Sequence, residues 1–350
     1  MTHRSENTAG TATPSELVAE KALPRVAVVI PSYRVRSALL GVIDRIPSLV
    51  EQIHVVDDAC PEGSGRHVQT HCTDPRVSVH FNAKNLGVGG ATIEGYRAAM
   101  ASGADIVIKM DGDGQMDAKA LPQLIGPIVR GQADYTKGNR FYDLTQIGRM
   151  PWLRILGNAV LSFMTKLSSG YWDLFDPTNG YTAIHTRVLA GLPLEKLSRR
   201  YFFETDMLFR LNIIRAVVAD VPMEARYGTE TSNLRISRVL LDFGFKHVRN
   251  CCKRLFYNYF LRDMSLASVE LLFGAVFLGL GFAMGLWFWV ESARTGITAS
   301  AGSVTLVALQ IIVGLQLILG FLAYDIASVP RRVLHQLLPW QAPESGRESR

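Results

Sequence analysis

The stretch Lys109 to Lys119, KMDGDGQMDAK, places Asp111, Asp113 and Asp117 within seven residues, with the amide of Gln115 between them. Like charges this close call for a positive partner. A D-x-D-x-x-x-D run begins like an EF-hand loop, but the position that requires glycine is Met116, and Pro122 stands where a bidentate glutamate belongs. The chemistry that fits is one Mg²⁺ or Mn²⁺ ion, held by one or two carboxylates and completed by the phosphates of a ligand. Gly112 and Gly114 would let the backbone approach that ligand closely. A plain acidic turn reads the same at this level, so the elements that carry the run have to decide.

The run directly follows DIVIKM (105–110), a short apolar stretch of strand type. RVAVVI (25–30), QIHVVD (52–57), RVSVH (76–80) and a run near Val217–Val221 are similar, and helical stretches such as 35–49, 88–102 and 118–130 lie between them. This alternation predicts an α/β fold with a mostly parallel sheet covered by helices. Ligands of such sheets bind at the carboxyl ends of the strands. There the sequence places Pro31-Ser32-Tyr33, Asp57-Asp58 and NLGVGGA (85–91), besides Asp111 and Asp113. Gly89 and Gly90 open a helix whose N–H groups could meet a phosphate. Tight packing of helix on sheet would also require glycine there. Thr92 occupies the third glycine position of a dinucleotide fingerprint, which excludes that motif. HVQTH (67–71) lacks the glutamate of a zinc-protease helix and reads as an exposed face, and no P-loop or nucleophile elbow is present.

Composition bounds the rest. The 350 residues are 48% hydrophobic and 19% charged with mean hydropathy +0.14, which suits a soluble domain joined to a small membrane part. The segment 271–290 and the segment 303–324 contain no charge, and each is about the 20 residues that cross hydrocarbon as a helix. Trp287, Trp289 and Tyr324 lie near their ends. Between Arg226 and Arg262 stand eight basic and two acidic residues, an excess equal to the +6 of the whole chain. Because this block abuts two spans, it points to anionic membrane lipid and not to nucleic acid. Basic residues flank the spans, whereas the connector 291–302 has only Arg294, so both termini are expected in the cytoplasm. The cysteines, Cys60, Cys72, Cys251 and Cys252, form no C-x-x-C pair and suggest a reducing compartment.

VVIPSY, HVVDDACPEGS, NLGVGGA, KMDGDGQMD, KGNRF and DPTNGY occur in this order. The chain therefore resembles the family 2 glycosyltransferases, and within them the branch of dolichyl-phosphate mannose synthases and bacterial polyprenyl-phosphate glycosyltransferases. The resemblance covers about residues 24–262 and implies the Rossmann-like GT-A fold. It implies that Pro31, Tyr33, Asp57 and Asp58 contact the base and ribose of the nucleotide-sugar donor, and the glycine-rich turn adds Gly89 and Gly90 as candidate donor-binding positions. Asp111, Asp113 and Gln115 would hold the metal. Arg140 in KGNRF and Arg154 in RILGN would bind the acceptor phosphate, and Asp176 and Gly180 in DPTNGY would border the sugar and acceptor pocket. No Q-x-x-R-W motif of processive synthesis is present. YFFETDM (201–207) stands where relatives place a base, and the roles of Glu204 and Asp206 stay open.

The layout expected is a disordered leader (1–23), a GT-A catalytic domain (24–232), juxtamembrane amphipathic helices (233–265), two transmembrane helices within 266–327 (about 268–290 and 303–324) and a cytoplasmic tail (328–350). The spans read as an anchor separable from the domain, in an inner membrane with the catalytic part cytoplasmic. The function implied is inverting transfer of a hexose to polyprenyl phosphate, from UDP-glucose or alternatively GDP-mannose. Transfer to a hydroxyl of a lipid-linked glycan, with Asp206 or Asp176 as base, is the second reading. A nucleotide-sugar binder without turnover is the third. The sequence leaves homo-oligomer formation open.

Overall fold

A computed structural model describes residues 23–142, 152–177, 179–223 and 236–339, the side chains of 153–154 and 236–241 excepted. The expected α/β class with a mostly parallel sheet holds. Seven strands, β1 (Val26–Ser32), β2 (Gln52–Asp57), β3 (Val77–Phe81), β4 (Ile106–Lys109), β5 (Tyr135–Asn139), β6 (Thr182–His185) and β7 (Val218–Pro222), lie in the order β3-β2-β1-β4-β6-β5-β7. All pairings are parallel except the two made by β6, which is antiparallel to β4 and to β5. The strand β1, VAVVIPS, is buried along its whole length, as a β-branched run at the centre of a parallel sheet must be. Its alternate residues serve two cores: Ala27 and Val29 belong to one cluster, Val26, Val28 and Ile30 to the other. Each face of the sheet is thus covered.

Six helices flank the sheet: α1 (Arg36–Ile43), α2 (Ser64–His71), α3 (Val88–Ala101), α4 (Leu121–Val129), α6 (Thr186–Ala190) and α7 (Phe203–Ile213). The helix expected over 35–49 ends at Ile43, with Pro47 just beyond it. A longer pair, α5 (Trp152–Ser169) and α8 (Ile236–Phe256), pack on one another, and α8 runs on through a π-helical turn at Tyr257–Arg262. Then follow α9 (Leu266–Thr295), at whose start Ser268 Oγ accepts from the Ser265 N–H at 3.1 Å, and α10 (Ala301–Ala327). Both contain the expected spans and are long and apolar enough to cross a membrane. They pack closely at Gly281 and Gly314, where an added Cβ would stand 2.7 Å from Ile311 and 2.8 Å from the Leu278 nitrogen.

Residues beyond α10 return to the sheet domain. Val329, Leu334 and Leu338 pack on the core cluster that contains Val29 and Tyr135. Asp134, which precedes β5, is buried and accepts from the backbone N–H groups of Leu334 and His335, from His335 Nδ1 and from Val217 N–H, each at 2.8 Å. The His335 ring stacks on His185 at 4.2 Å. The described part of the expected cytoplasmic tail is therefore a strap bound to the domain.

Candidate active site

The metal-type motif sits where β4 ends. Gly112 is enclosed, since a Cβ there would lie 3.1 Å from Leu39 and 3.2 Å from Ile30. Gly114 has φ +83°, which favours glycine. Asp113 Oδ1 accepts from the Gln115 N–H at 3.0 Å, so Asp111, Asp113 and Gln115 share one tight turn. Asp117 Oδ1 accepts from the Lys119 N–H at 3.0 Å and caps the short 3-10 turn 118–120. Of the three clustered aspartates, Asp117 has a helix-starting role.

The first positive partner of Asp111 comes from the chain itself. Lys109 is 1% exposed, and its Nζ donates to Asp111 Oδ1 at 2.9 Å, to Glu204 Oε1 at 3.2 Å and to the Gly180 carbonyl at 3.3 Å. Burial disfavours the ammonium, yet the adjacent Asp111 and Glu204 outweigh this and hold its pKa above the usual lysine value. Lys137 on β5 is also buried and donates to the Asn179 carbonyl. There burial prevails and pushes the pKa down to about 8. Sequence reading missed both lysines. The signal was a lone charge inside a strand, Lys109 in DIVIKM and Lys137 in YTKGN.

On the other side, Arg140 follows β5 and pairs with Asp176 of the DPTNGY loop. Its Nε lies 2.8 Å from Oδ2 and its Nη2 3.2 Å from Oδ1. Asp176 is fully buried while Arg140 is 36% exposed, so the acid orients the fork from beneath. Behind them Asp220 on β7 accepts from the Phe175 N–H at 2.7 Å, and burial pushes its pKa up to about 6. Asp220 too went unnoticed in the sequence. Arg154 lies on α5, with its side chain outside the described residues.

Glu204 and Asp206, left open by the sequence, now separate. Glu204 faces Lys109. Asp206 accepts from the Ser198 N–H at 2.8 Å and from Asn250 Nδ2 at 3.2 Å, and stands 3.4 Å from Arg210. It fastens the 198–200 loop and α8 to α7.

The expected donor residues divide as well. Pro31 lies in β1 past the end of β4, whose pairing stops at Val29–Lys109, so its missing N–H costs no ladder bond on that side. Tyr33 is 42% exposed, with the Arg34 guanidinium 5.4 Å from its ring centre. Asp57 is buried and accepts from Cys60 N–H at 2.7 Å and Gly65 N–H at 2.6 Å. Asp58 accepts from Asn82 Nδ2, Leu86 N–H and Gly87 N–H at 2.7–2.8 Å. These acids shape the loops after β2 and β3, beside a cavity of about 440 Å³ lined by Asp57, Cys60, Arg66, Gln69, Phe81 and Asn82. Gly89 and Gly90 pack on the 198–203 segment. A Cβ on Gly89 would stand 2.5 Å from the Ser198 carbonyl, and the Gly90 N–H donates to the Arg199 carbonyl at 2.9 Å. Close packing is one of the two uses the sequence left open for these glycines.

A hard divalent cation fits what is present at the turn. Asp111 and Asp113 supply oxygen donors, and among the described residues no three His, Cys, Asp or Glu side chains converge as a closed metal cage.

Residues 27–192 match the sequence model of the family described as Glycosyl transferase family 2. An undecaprenyl-phosphate mannosyltransferase from Micrococcus luteus is 30% identical over 203 residues, which cover 57% of this chain and 82% of the relative. A UDP-N-acetylglucosamine–dolichyl-phosphate N-acetylglucosaminyltransferase from Methanococcus voltae is 26% identical over 232 residues, 62% of this chain and 92% of the relative. Among solved structures, a glucosyl-3-phosphoglycerate synthase from Mycobacterium tuberculosis in complex with UDP has a TM-score of 0.49 at 20% identity, covering 72% of this chain and 86% of that one.

Proposed function

Because the chain belongs to glycosyl transferase family 2, we propose that it is a membrane-anchored, inverting glycosyltransferase that moves a hexose from a nucleotide sugar to polyprenyl phosphate. The observation that carries this reading is the meeting of two half-sites. The Asp111–Asp113 turn and the loop that fixes Arg140 through Asp176 are joined by Lys109, which touches both Asp111 and Gly180.

Asp111 and Asp113, with Gln115 beside them, would hold Mg²⁺ or Mn²⁺ against the donor diphosphate. Such an ion supplies Lewis-acid stabilisation of the departing nucleoside diphosphate. Pro31, Tyr33, Asp57 and Asp58 would line the donor side, the two acids also bracing the loops after β2 and β3. Arg140, with Arg154, places the acceptor phosphate so that its oxygen attacks the anomeric carbon opposite the leaving group. One displacement inverts that centre. A phosphate is already anionic and needs no base. This agrees with Asp176 and Asp206, the bases that hydroxyl transfer would call upon, being engaged by Arg140 and by Ser198, Asn250 and Arg210.

The membrane placement rests on three features. The first is the pair α9 and α10. The second is an exposed apolar stripe on α5, Trp152, Leu156, Val160 and Phe163, beside Phe245, Val248 and Phe256 of α8. Steps of three or four residues put such side chains on one helix face, as interfacial helices require. The third is the strap: the hairpin leaves the sheet domain through α8 and returns to it at His335, so both of its ends lie on one side. The flanking basic residues make that side the cytoplasm.

The donor is a nucleoside diphosphate hexose. UDP-glucose is the first to try, and the relatives' names add mannosyl and N-acetylglucosaminyl donors. Membranes containing the chain are incubated with polyprenyl phosphate and each radiolabelled nucleotide sugar. Label in a mild-acid-labile lipid with one donor is the expected result. No lipid label with any donor overturns the reading.

A further inference from the structure

Two lysines lie inside the sheet domain, one strand apart, beneath the loop that carries Asn179 and Gly180. Lys109 on β4 and Lys137 on β5 both pair in register with Thr182 of β6, which lies between them. Residues paired across neighbouring strands point to the same face, so the three form one row. The row ends on consecutive carbonyls: Lys137 donates to that of Asn179 and Lys109 to that of Gly180. Lys109 also reaches Asp111 and Glu204.

An ammonium has three N–H donors, and those of Lys109 meet Asp111, Glu204 and Gly180. It is therefore committed to the protein and is not itself a phosphate ligand. The fit is tight: a Cβ on Gly180 would stand 2.5 Å from Nζ. A buried ion pair of this kind is weak evidence for stability, because matched apolar residues often serve a core as well or better. Its directional contacts carry the argument. Lys109 engages Asp111 Oδ1, while Asp111 Oδ2 is turned toward Gly180, from whose added Cβ it would stand 3.1 Å.

We propose that Lys109 is a positioning residue, which fixes the Asp111 carboxylate by one oxygen and ties that orientation to Glu204 on α7 and to the Gly180 loop. The inference rests on the reading of Asp111 as a ligand of the donor's metal. A fixed carboxylate matters most for a cation that demands regular geometry. Mg²⁺ requires near-octahedral coordination, whereas Ca²⁺ accepts irregular sets. Loss of local positive charge would shift the binding of both ions alike. Loss of orientation would penalise Mg²⁺ alone.

The test is calorimetric titration of the full chain in detergent with UDP and with GDP, in Mg²⁺, in Ca²⁺ and with neither, alongside thermal melting. Lys109→Met/Glu204→Leu removes the pair as a matched set, and Lys109→Met/Glu204→Gln serves if the first does not fold. Glu204→Gln alone keeps an acceptor for Lys109 and leaves its bond to Asp111. The expected result is a preference for Mg²⁺ over Ca²⁺ that falls about tenfold in a folded double variant, the loss of one charge-assisted contact. Glu204→Gln should keep the preference, and metal-free nucleotide binding should not change. A folded double variant with an unchanged preference overturns the proposal, as does an unaltered chain that binds both metal–nucleotides without preference. An unaltered chain that binds no nucleotide with any metal overturns the glycosyl-transfer reading, and the inference with it.

Discussion

Arg254 on α8 and Asp325 on α10 form a two-pronged ion pair, with Nη1 2.6 Å from Oδ1 and Nη2 2.9 Å from Oδ2, and both side chains are at most 2% exposed. Tyr259 Oη and Trp172 Nε1 donate to the same carboxylate at 2.6 and 2.8 Å, and Arg254 Nη2 also donates to the Leu167 carbonyl. The end of the apolar hairpin is thereby fixed to the helices that carry the sheet domain.

Truncation after Arg262, which on sequence alone should leave a working domain, is therefore expected to fail. It strips Arg254 of Asp325 and Asp134 of His335 at once. Removing one member of a buried pair typically costs about 3–5 kcal/mol, a large share of the roughly 5–15 kcal/mol that holds a domain folded. Asp325→Ala in the full chain should lower the melting temperature sharply, whereas Lys246→Ala, at an exposed pair with Asp242, should hardly move it. A truncated domain that is soluble, melts cooperatively and binds nucleotide would show that the clamp is dispensable.

Asp176→Asn tests the support of Arg140. The amide keeps one acceptor for the guanidinium but drops the charge that orients it. Loss of a charge-assisted bond is worth about 1.5–3 kcal/mol, so kcat/KM for polyprenyl phosphate should fall roughly ten- to a hundredfold. Nucleotide affinity should stay near normal. Acceptor-dependence kinetics decide, and weakened nucleotide binding with untouched acceptor kinetics would move Arg140 to the donor side.

Asp113→Asn should abolish most of the metal-dependent part of donor binding, because a neutral amide is a weaker ligand for a hard cation than the carboxylate it replaces. Its Oδ1 can still accept from the Gln115 N–H, so the turn should persist. Titration with a nucleoside diphosphate and Mn²⁺, against a metal-free control, measures the difference. Equal metal dependence in variant and unaltered chain would remove Asp113 from the ligand set.

Acid should destabilise the fold between about pH 6.5 and 4. Burial pushes His54, His185 and His247 each down to about 4, helped at His54 by His80 and at His185 by His335 and Arg187. Below an ordinary histidine pKa of about 6.5 the unfolded chain takes protons that the folded chain refuses, so stability falls as pH drops through that window. Asp220, pushed up to about 6, works the other way over part of the range, one group against three. His54→Gln should make the slope of stability against pH shallower by about one proton. An unchanged slope in denaturant titrations would show that His54 is not held neutral.

Some of this was legible without coordinates because it is local. Runs of β-branched residues mark β1, β2, β3, β4 and β7 within a residue or two; β1, β2 and β4 are central and buried on both faces, whereas the edge strands β3 and β7 are only partly buried. Two uncharged runs disclose α9 and α10 by length alone. The D-x-D turn needs only neighbours in sequence, so Asp111 and Asp113 could be grouped on spacing, while Gln115 joins them as a ligand only through the family resemblance. What folding decided were pairings between distant segments, for which spacing holds no information. Four-residue β6 is too short to show a period, and only its insertion between β4 and β5 makes it a strand. Asp57 and Asp58 are visible in the sequence as acids at a strand end, but which backbone N–H groups they hold in the loops after β2 and β3 is set only by the fold. Lys109 meets Glu204 across 95 residues, and His335 meets Asp134 across 201. A buried charge or a buried carboxylate demands a partner, but only the tertiary structure selects which one.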